Sequence, residues 1–363
     1  MMTPRPRIWL VLGDKPGDNA QLKRIADSLD LPYATKHLVP KEEYRLGKPR
    51  FRATLEHLDP DHSDSLTAPW PELVITTGRR HAMAALWIKK QSPATRLVLL
   101  GRPRRWIERF DLVIALPQYQ VPDLPRVLHL SLPLMRADRR SVSTAAERWK
   151  SRLGTLPKPV IAVLVGGPTQ PFRFDSAVTE QLVSTCRSLQ QRYRGSLYFL
   201  TSRRTSPEIV ATLKARLPTD ARLYEWKQDS TDNPYLALLG LADYFVVSGD
   251  SVSMMMEVAD LQKPLAIYRL PVYPWGRAWQ SLLRRLHAGN AERFIDRLLG
   301  SPGKLLYASG IAGYARDLTR IHSKLEKAGL AVYTGQPFVQ PAAGLPDELG
   351  LVRARILSLL SGT

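Results

Sequence analysis

Short apolar runs bounded by turn-forming residues constrain this chain more than any other feature. They are Ile8-Leu12, Leu73-Thr76, Leu97-Leu100, Leu112-Ala115 and Val127-Leu130, then Val160-Val165, Leu197-Leu200, Tyr244-Val247 and Leu265-Tyr268. Most are continuous rather than alternating, which is how strands covered on both faces of a parallel sheet read. Helix-length amphipathic stretches separate many of them, among them Ala20-Leu29, His81-Lys90, Ser176-Tyr193 and Pro207-Leu217. The β-α-β rhythm runs twice, so the expected fold class is α/β with two Rossmann-like domains and parallel sheets.

A chain of 363 residues exceeds the size at which one core stops growing. Gly154-Thr155-Leu156-Pro157-Lys158-Pro159 punctuates the two series, which places a hinge near residue 156. The expected domains are therefore 1–156 and 157–345, with a C-terminal helix over 346–363. A longer amphipathic helix is expected over Ala308 to Ala328.

Fifty-two Lys and Arg against 33 Asp and Glu give a formal charge of +19. Such an excess favours anionic partners: phosphates, nucleic acid or acidic headgroups. Nucleic acid is disfavoured, because no recognised binding module is present and the cations sit in turns. The single cysteine, Cys186, excludes an intramolecular disulfide and a multi-cysteine zinc site. No run is long enough for a signal-peptide core or a spanning helix, so a cytoplasmic location is expected. The segment from Trp275 to Leu299 carries Trp279, Arg284, Arg285, Arg293 and Arg297 beside leucines. It reads either as a membrane-surface helix on the inner face or as an ordinary packing helix.

The residues that could carry chemistry stand where strands end and helices begin, which is where open α/β sheets bind ligands. Gly249-Asp250-Ser251-Val252-Ser253 follows one apolar run and opens a helix, so free N–H groups and a dipole's positive end meet there. Asp250 or Ser251 suits the cap, Ser253 adds a hydroxyl, and Glu257 lies on the same face, placed for ribose hydroxyls. A capped helix without a ligand is the alternative. Gly166-Gly167 ends another run and lets a ligand approach the backbone, with Arg173 following. Ser202-Arg203-Arg204 ends a third, offering hydroxyl and guanidinium groups suited to a diphosphate. In the first half, Gly13 to Gln21 is a Gly/Pro loop whose Asp14 and Asp18 are candidate bases. Arg79-Arg80-His81 gives two cations and a titratable imidazole. Gly101-Arg102-Pro103-Arg104-Arg105 is a further basic loop. No metal-binding cluster, Walker lysine or serine-hydrolase elbow is present, and GxGxxG is absent.

Six of these segments, in order from residue 8 to about residue 270, together resemble the signatures of the mitochondrial-fission ELM (elongated mitochondria) family. They are Gly13-Asp14-Lys15-Pro16-Gly17-Asp18-Asn19-Ala20-Gln21, Gly166-Gly167-Pro168, Phe172-Arg173-Phe174, Thr201-Ser202-Arg203-Arg204-Thr205, Asn233-Pro234-Tyr235 and Gly249-Asp250-Ser251-Val252-Ser253-Met254. The resemblance implies a GT-B-like fold, two Rossmann-like domains facing a central cleft. For bacterial members it implies a metal-independent glycosyltransferase, some linked to lipooligosaccharide. For plant members it implies instead a scaffold that recruits a dynamin-related protein, and a sugar-nucleotide epimerase of the same architecture is a third class.

By position, the resemblance places a nucleotide-sugar donor, as substrate with no separate cofactor, on the second domain. Gly166, Gly167, Arg173, Ser202, Arg203, Arg204, Asp250, Ser251, Ser253 and Glu257 are the expected binding residues. A glycan or glycolipid acceptor falls to the first domain, beside Lys15, Asn19, Arg79 and Arg80. Relatives carry a Pro-x-His-Asp-like segment where this chain has Pro117-Gln118-Tyr119. The catalytic base is therefore sought among Asp18, Asp14 and His81.

Overall fold

The computed structural model describes residues 7–46, 49–103, 105–228, 230–273 and 316–361. The expected Trp275 to Leu299 segment, the first part of the Ala308 to Ala328 helix, and Arg104 lie outside the described residues.

The described chain forms two compact α/β units. Unit 1 contains, in order, β1 (Ile8–Leu12), α1 (Pro16–Ser28), β2 (Tyr33–His37), α2 (Glu42–Leu46), β3 (Leu73–Thr77), α3 (Arg79–Gln91), β4 (Arg96–Leu100), β5 (Leu112–Ala115) and β6 (Val127–His129). Unit 2 contains α4 (Arg139–Leu153), β7 (Val160–Val165), α5 (Ser176–Tyr193), β8 (Ser196–Thr201), α6 (Pro207–Arg216), β9 (Arg222–Tyr224), α7 (Tyr235–Leu241), β10 (Tyr244–Ser248), α8 (Val252–Asp260), β11 (Leu265–Tyr268), α9 (Thr319–Lys327) and β12 (Val332–Tyr333). The last helix, α10 (Leu349–Ser361), returns to unit 1.

Each unit holds one six-stranded, all-parallel sheet, ordered β2-β1-β3-β4-β5-β6 in unit 1 and β12-β11-β10-β7-β8-β9 in unit 2. Both faces of the first sheet are covered. Trp9, Val11, Val74, Leu97, Leu99 and Val113 pack with α3 residues Met83, Leu86 and Ile88 on one side. Ile8, Leu10, Ile75, Val98 and Ile114 pack with Leu22 and Ile25 of α1 and Val352 and Ile356 of α10 on the other. Continuous apolar runs are the direct consequence of that two-sided burial. Helices begin where the sequence signals them: Asp138 caps α4, Asp175 caps α5, and Ser206 caps α6 ahead of Pro207.

The boundary between units corrects the expected hinge near residue 156. Unit 1 ends at Leu134, and α4 belongs to unit 2. The reason is the packing of α4 on α7, which is close enough that a Cβ on Gly240 would lie 2.9 Å from the Ala146 methyl. A Pro/Gly-rich stretch there is a turn inside a unit. Residues 346–361 are tied into unit 1, where the Glu348 carboxylate accepts from the Ser131 amide at 2.9 Å and the Ser131 hydroxyl at 2.7 Å. Arg353 Nε donates to the Ser28 carbonyl at 2.7 Å.

Candidate functional site

In a doubly wound sheet the helices switch faces where the strand order reverses, and the carboxyl ends of the two strands flanking that point diverge into a crevice. In unit 2 this point lies between β7 and β10. The loops that leave these strands are Gly166-Gly167-Pro168 and Gly249-Asp250-Ser251, and the turn after the adjoining β8 is Ser202-Arg203-Arg204.

A buried polar network joins the three loops. The Gly166 N–H donates to Ser248 Oγ at 2.8 Å, and Ser248 Oγ donates to Asp250 Oδ1 at 2.7 Å. Asp250 Oδ2 accepts from the Gly167 N–H at 3.0 Å and lies 2.9 Å from Arg204 Nη1. Arg204 Nη1 also donates to Thr169 Oγ1 at 2.5 Å, and Thr205 Oγ1 reaches back to the Gly166 carbonyl at 2.6 Å. Burial raises the Asp250 carboxyl above its ordinary value. The Arg204 charge and the bonds from Gly167 and Ser248 oppose that rise.

These contacts revise several expected roles. The glycines are needed by the protein's own packing. A Cβ on Gly166 would lie 2.3 Å from Asp250 Oδ2, and one on Gly167 would lie 1.8 Å from the Arg204 carbonyl oxygen. Their N–H groups are already bonded inside the protein. Asp250 does not cap α8, because its carboxylate turns back to Gly167 and Arg204, and the Ser251 side chain makes no capping bond either. Ser202 closes its own turn, with its amide donating to Thr205 Oγ1 at 2.8 Å. Arg173 pairs with Asp175 at 3.2 Å rather than with the network. Glu257 accepts a short hydrogen bond from the Tyr235 hydroxyl, and burial raises both groups.

What remains open is cationic and amide in character. Because no side chain caps α8, the N–H groups of Val252, Ser253 and Met254 have no partner among the described residues. Arg203 is exposed, and Arg204 keeps its Nη2 and Nε edge outside the network. Arg269 was not singled out in the sequence. It leaves β11 one residue beyond the Ser248–Tyr268 register pair, level with Gly249, and its guanidinium lies 3.4 Å from the centre of the Tyr333 ring.

In unit 1 the reversal lies between β1 and β3, where the Gly13 loop and Gly78 meet. Asp14 and Lys15 are exposed and Asp18 is half-buried. Burial raises the Asp18 carboxyl, against the charges of Lys15, Arg316 and His81, while Asp14 adds to the rise. The structure thus gathers Asp14, Lys15, Asp18 and His81, and adds Arg316, which bridges to Tyr119 and carries no signal in the sequence.

Three other assignments change. Asn19 spends its amide on the Gly13 peptide, accepting at 3.2 Å and donating at 2.7 Å. Arg79 and Arg80 donate to the carbonyls of Pro49 and Tyr44, bracing that segment. His81 is buried with Nδ1 3.1 Å from the Thr77 carbonyl, and its ring occupies the place of a Gly13 side chain, 2.1 Å from the ideal Cβ. Burial holds its pKa below the ordinary value.

With this geometry in place, the comparisons with known proteins decide the family. Residues 16–312 match the family described as Mitochondrial fission ELM1. The chain belongs to that family. It is 27% identical over 220 residues to Mitochondrial fission protein ELM1 of Arabidopsis thaliana, covering 54% of this chain and 51% of that protein. The match therefore spans about half the length of the plant ELM1 protein. Uncharacterized protein RP120 of Rickettsia prowazekii is 26% identical over 304 residues, covering 73% of this chain and 83% of its own. Among solved structures, UDP-GlcNAc 2-epimerase from Methanocaldococcus jannaschii aligns over 98% of this chain and 100% of its own at 11% identity and a TM-score of 0.49. E. coli ADP-heptose lps heptosyltransferase II aligns over 72% of this chain and 84% of its own at 11% identity and a TM-score of 0.40. Likenesses this distant carry no residue roles to the ELM1-family chain. Among its described residues no helix is long and apolar enough to cross a membrane, and no group of His, Cys, Asp and Glu is placed to hold a metal ion.

Proposed function

We propose that this ELM1-family protein is a glycosyltransferase of the GT-B type that moves a sugar from a nucleotide donor to an envelope-glycan or lipooligosaccharide acceptor. The observation that carries the reading is the N-terminus of α8 at the β7/β10 switch point, where three N–H groups have no partner among the described residues and the preceding Asp250 holds Arg204. Unit 2 takes the donor: the pyrophosphate meets the amides of Val252 to Met254 and the Ser253 hydroxyl, and Arg203 and the outer edge of Arg204 offset its charge. Asp250 touches no ligand in this scheme. It holds Arg204 in place while Nη2 and Nε stay available. The same groups stabilise the diphosphate as it leaves, so binding and catalysis share one source of positive charge.

Unit 1 carries the acceptor and its base. Of the three candidates, His81 is walled in by Gly13 and Asp14 is exposed to water, whereas Asp18 is half-buried with a carboxyl that burial raises above its ordinary value. The chain's formal charge of +19 suits work at the cytoplasmic face of an anionic membrane. The test is a thermal-shift screen against ADP-, GDP-, UDP- and CMP-linked sugars, followed by donor turnover with a lipooligosaccharide core acceptor. A donor should raise the unfolding midpoint in proportion to saturation, and Asp18→Asn should keep that shift and lose turnover. A chain that responds to none of these sugars contradicts the proposal.

A further inference from the structure

His322, on α9, connects the two loops that flank the unit 2 switch point. Its ring is buried, and Nε2 lies 2.7 Å from the Gly249 carbonyl. A carbonyl can only accept, so Nε2 carries the hydrogen. Gly249 has no side chain because the ring stands where one would be: an ideal Cβ there lies 2.9 Å from His322 Cε1. The face of the same ring stacks on Phe172, with centroids 6.4 Å apart and planes inclined by 16°. Phe172 belongs to the loop that begins at Gly166, where its amide donates to Thr169 and it bridges Val272. One imidazole therefore bonds the turn that launches α8 and packs against the loop that carries Gly166 and Gly167.

We infer that His322 is a positioning residue for the nucleotide-binding site: by holding the Gly249 turn and the Phe172 loop together it sets the α8 amides against the Arg204 guanidinium. The inference rests on the proposed donor site, since His322 itself touches no ligand. It has a physical basis in the small tolerance of anion sites. Amides and a guanidinium that converge on one pyrophosphate must keep their spacing to within a fraction of an ångström; the Gly166–Ser248 and Gly167–Asp250 bonds tie the two loops once, and His322 adds a separate tie at Gly249 and Phe172.

The test measures the affinity of ADP, GDP, UDP and CDP for the full chain by titration calorimetry, and amide exchange by mass spectrometry without ligand. His322→Ala should weaken the bound nucleotide by about tenfold, the loss expected from one buried hydrogen bond and its stacking partner. His322→Gln, which keeps a donor to the Gly249 carbonyl, should stay within about threefold of the wild type. In the exchange experiment His322→Ala should lose protection in both 166–174 and 248–256, and His322→Gln should restore 248–256. Phe172→Leu tests the other arm and should loosen 166–174 in a fold that keeps His322. Unchanged affinity in His322→Ala overturns the inference, as does loss of protection confined to one loop. If the wild type binds none of the four nucleotides, the donor-site reading fails. The exchange data then decide the coupling: a response in both loops supports the tie through His322, and a response in one or none refutes it.

Discussion

The guanidinium of Arg204 lies 2.9 Å from the Asp250 carboxylate, whose side chain is fully withdrawn from solvent while that of Arg204 is 40% exposed. The pair faces two ways: the carboxylate is satisfied inside the protein, and the cation is presented outward. Removing the cation leaves a buried charge with only Ser248 and Gly167 as partners. Arg204→Met should therefore cost about 1–2 kcal/mol in urea denaturation, discounted from the larger penalty of a wholly buried pair because half of this one reaches water. Asp250→Asn/Arg204→Met should recover part of that loss. Additive losses in the double variant would show that the two side chains do not interact.

Steric demand at the same turn gives a second expectation. Gly167 faces the Arg204 carbonyl so closely that an ideal Cβ would lie 1.8 Å from it, and neither atom sits on a flexible side chain. Gly167→Ala should destabilise the fold by roughly 2–3 kcal/mol, because backbone must move. Gly350 in α10 is the control: a Cβ there meets nothing within 4 Å, so Gly350→Ala should be stabilising by about 0.5–1 kcal/mol. Similar effects in both variants would mean the close approach at Gly167 is not present in solution.

His57 makes stability depend on pH. Its Nε2 bonds the Arg80 carbonyl at 2.9 Å, and burial pushes its pKa down to about 4 from an ordinary 6.5. The folded value lies below the unfolded one, so as pH falls through 6.5 the unfolded chain takes up the proton first. Stability drops between pH 6.5 and about 4 and levels off below, and above pH 6.5 the ring is neutral in both states. The full shift is worth about 3 kcal/mol, and His81, lowered for the same reason, adds in the same direction. Raised carboxyls such as Asp18 act with opposite sign, so the comparison is with His57→Asn. Urea midpoints at pH 7.0 and pH 4.5 should differ less in that variant than in the wild type. Equal differences would place the sensitivity elsewhere.

The sequence disclosed the centre of each sheet and one edge strand, β6, whose run Val127-Leu130 is apolar. β1, β3, β4, β5, β7, β8, β10 and β11 all appear as apolar runs because they are buried along almost their whole length. The strands that went unread, β2, β9 and β12, all lie at sheet edges and are short or polar: β2 reads Tyr-Ala-Thr-Lys-His and is largely exposed. At the site, the strand-end turns were legible because glycine, serine and arginine in one turn are costly without a reason. What each glycine makes room for was not. That depends on Asp250 or the Arg204 backbone arriving from another loop, and sequence spacing holds no trace of it. His322 and Arg316 were missed on the same ground, since each reaches its partner across a long stretch of chain.

Amide chemical-shift mapping of the isotope-labelled chain as a nucleotide sugar is added reports on the donor site itself. Saturable shifts are expected at Val252, Ser253 and Met254 and at the Arg203 and Arg204 amides, with affinity reduced about tenfold or more by Arg203→Ala/Arg204→Ala. Saturable shifts that leave the start of α8 untouched, or no shifts with any donor, would contradict a donor site there.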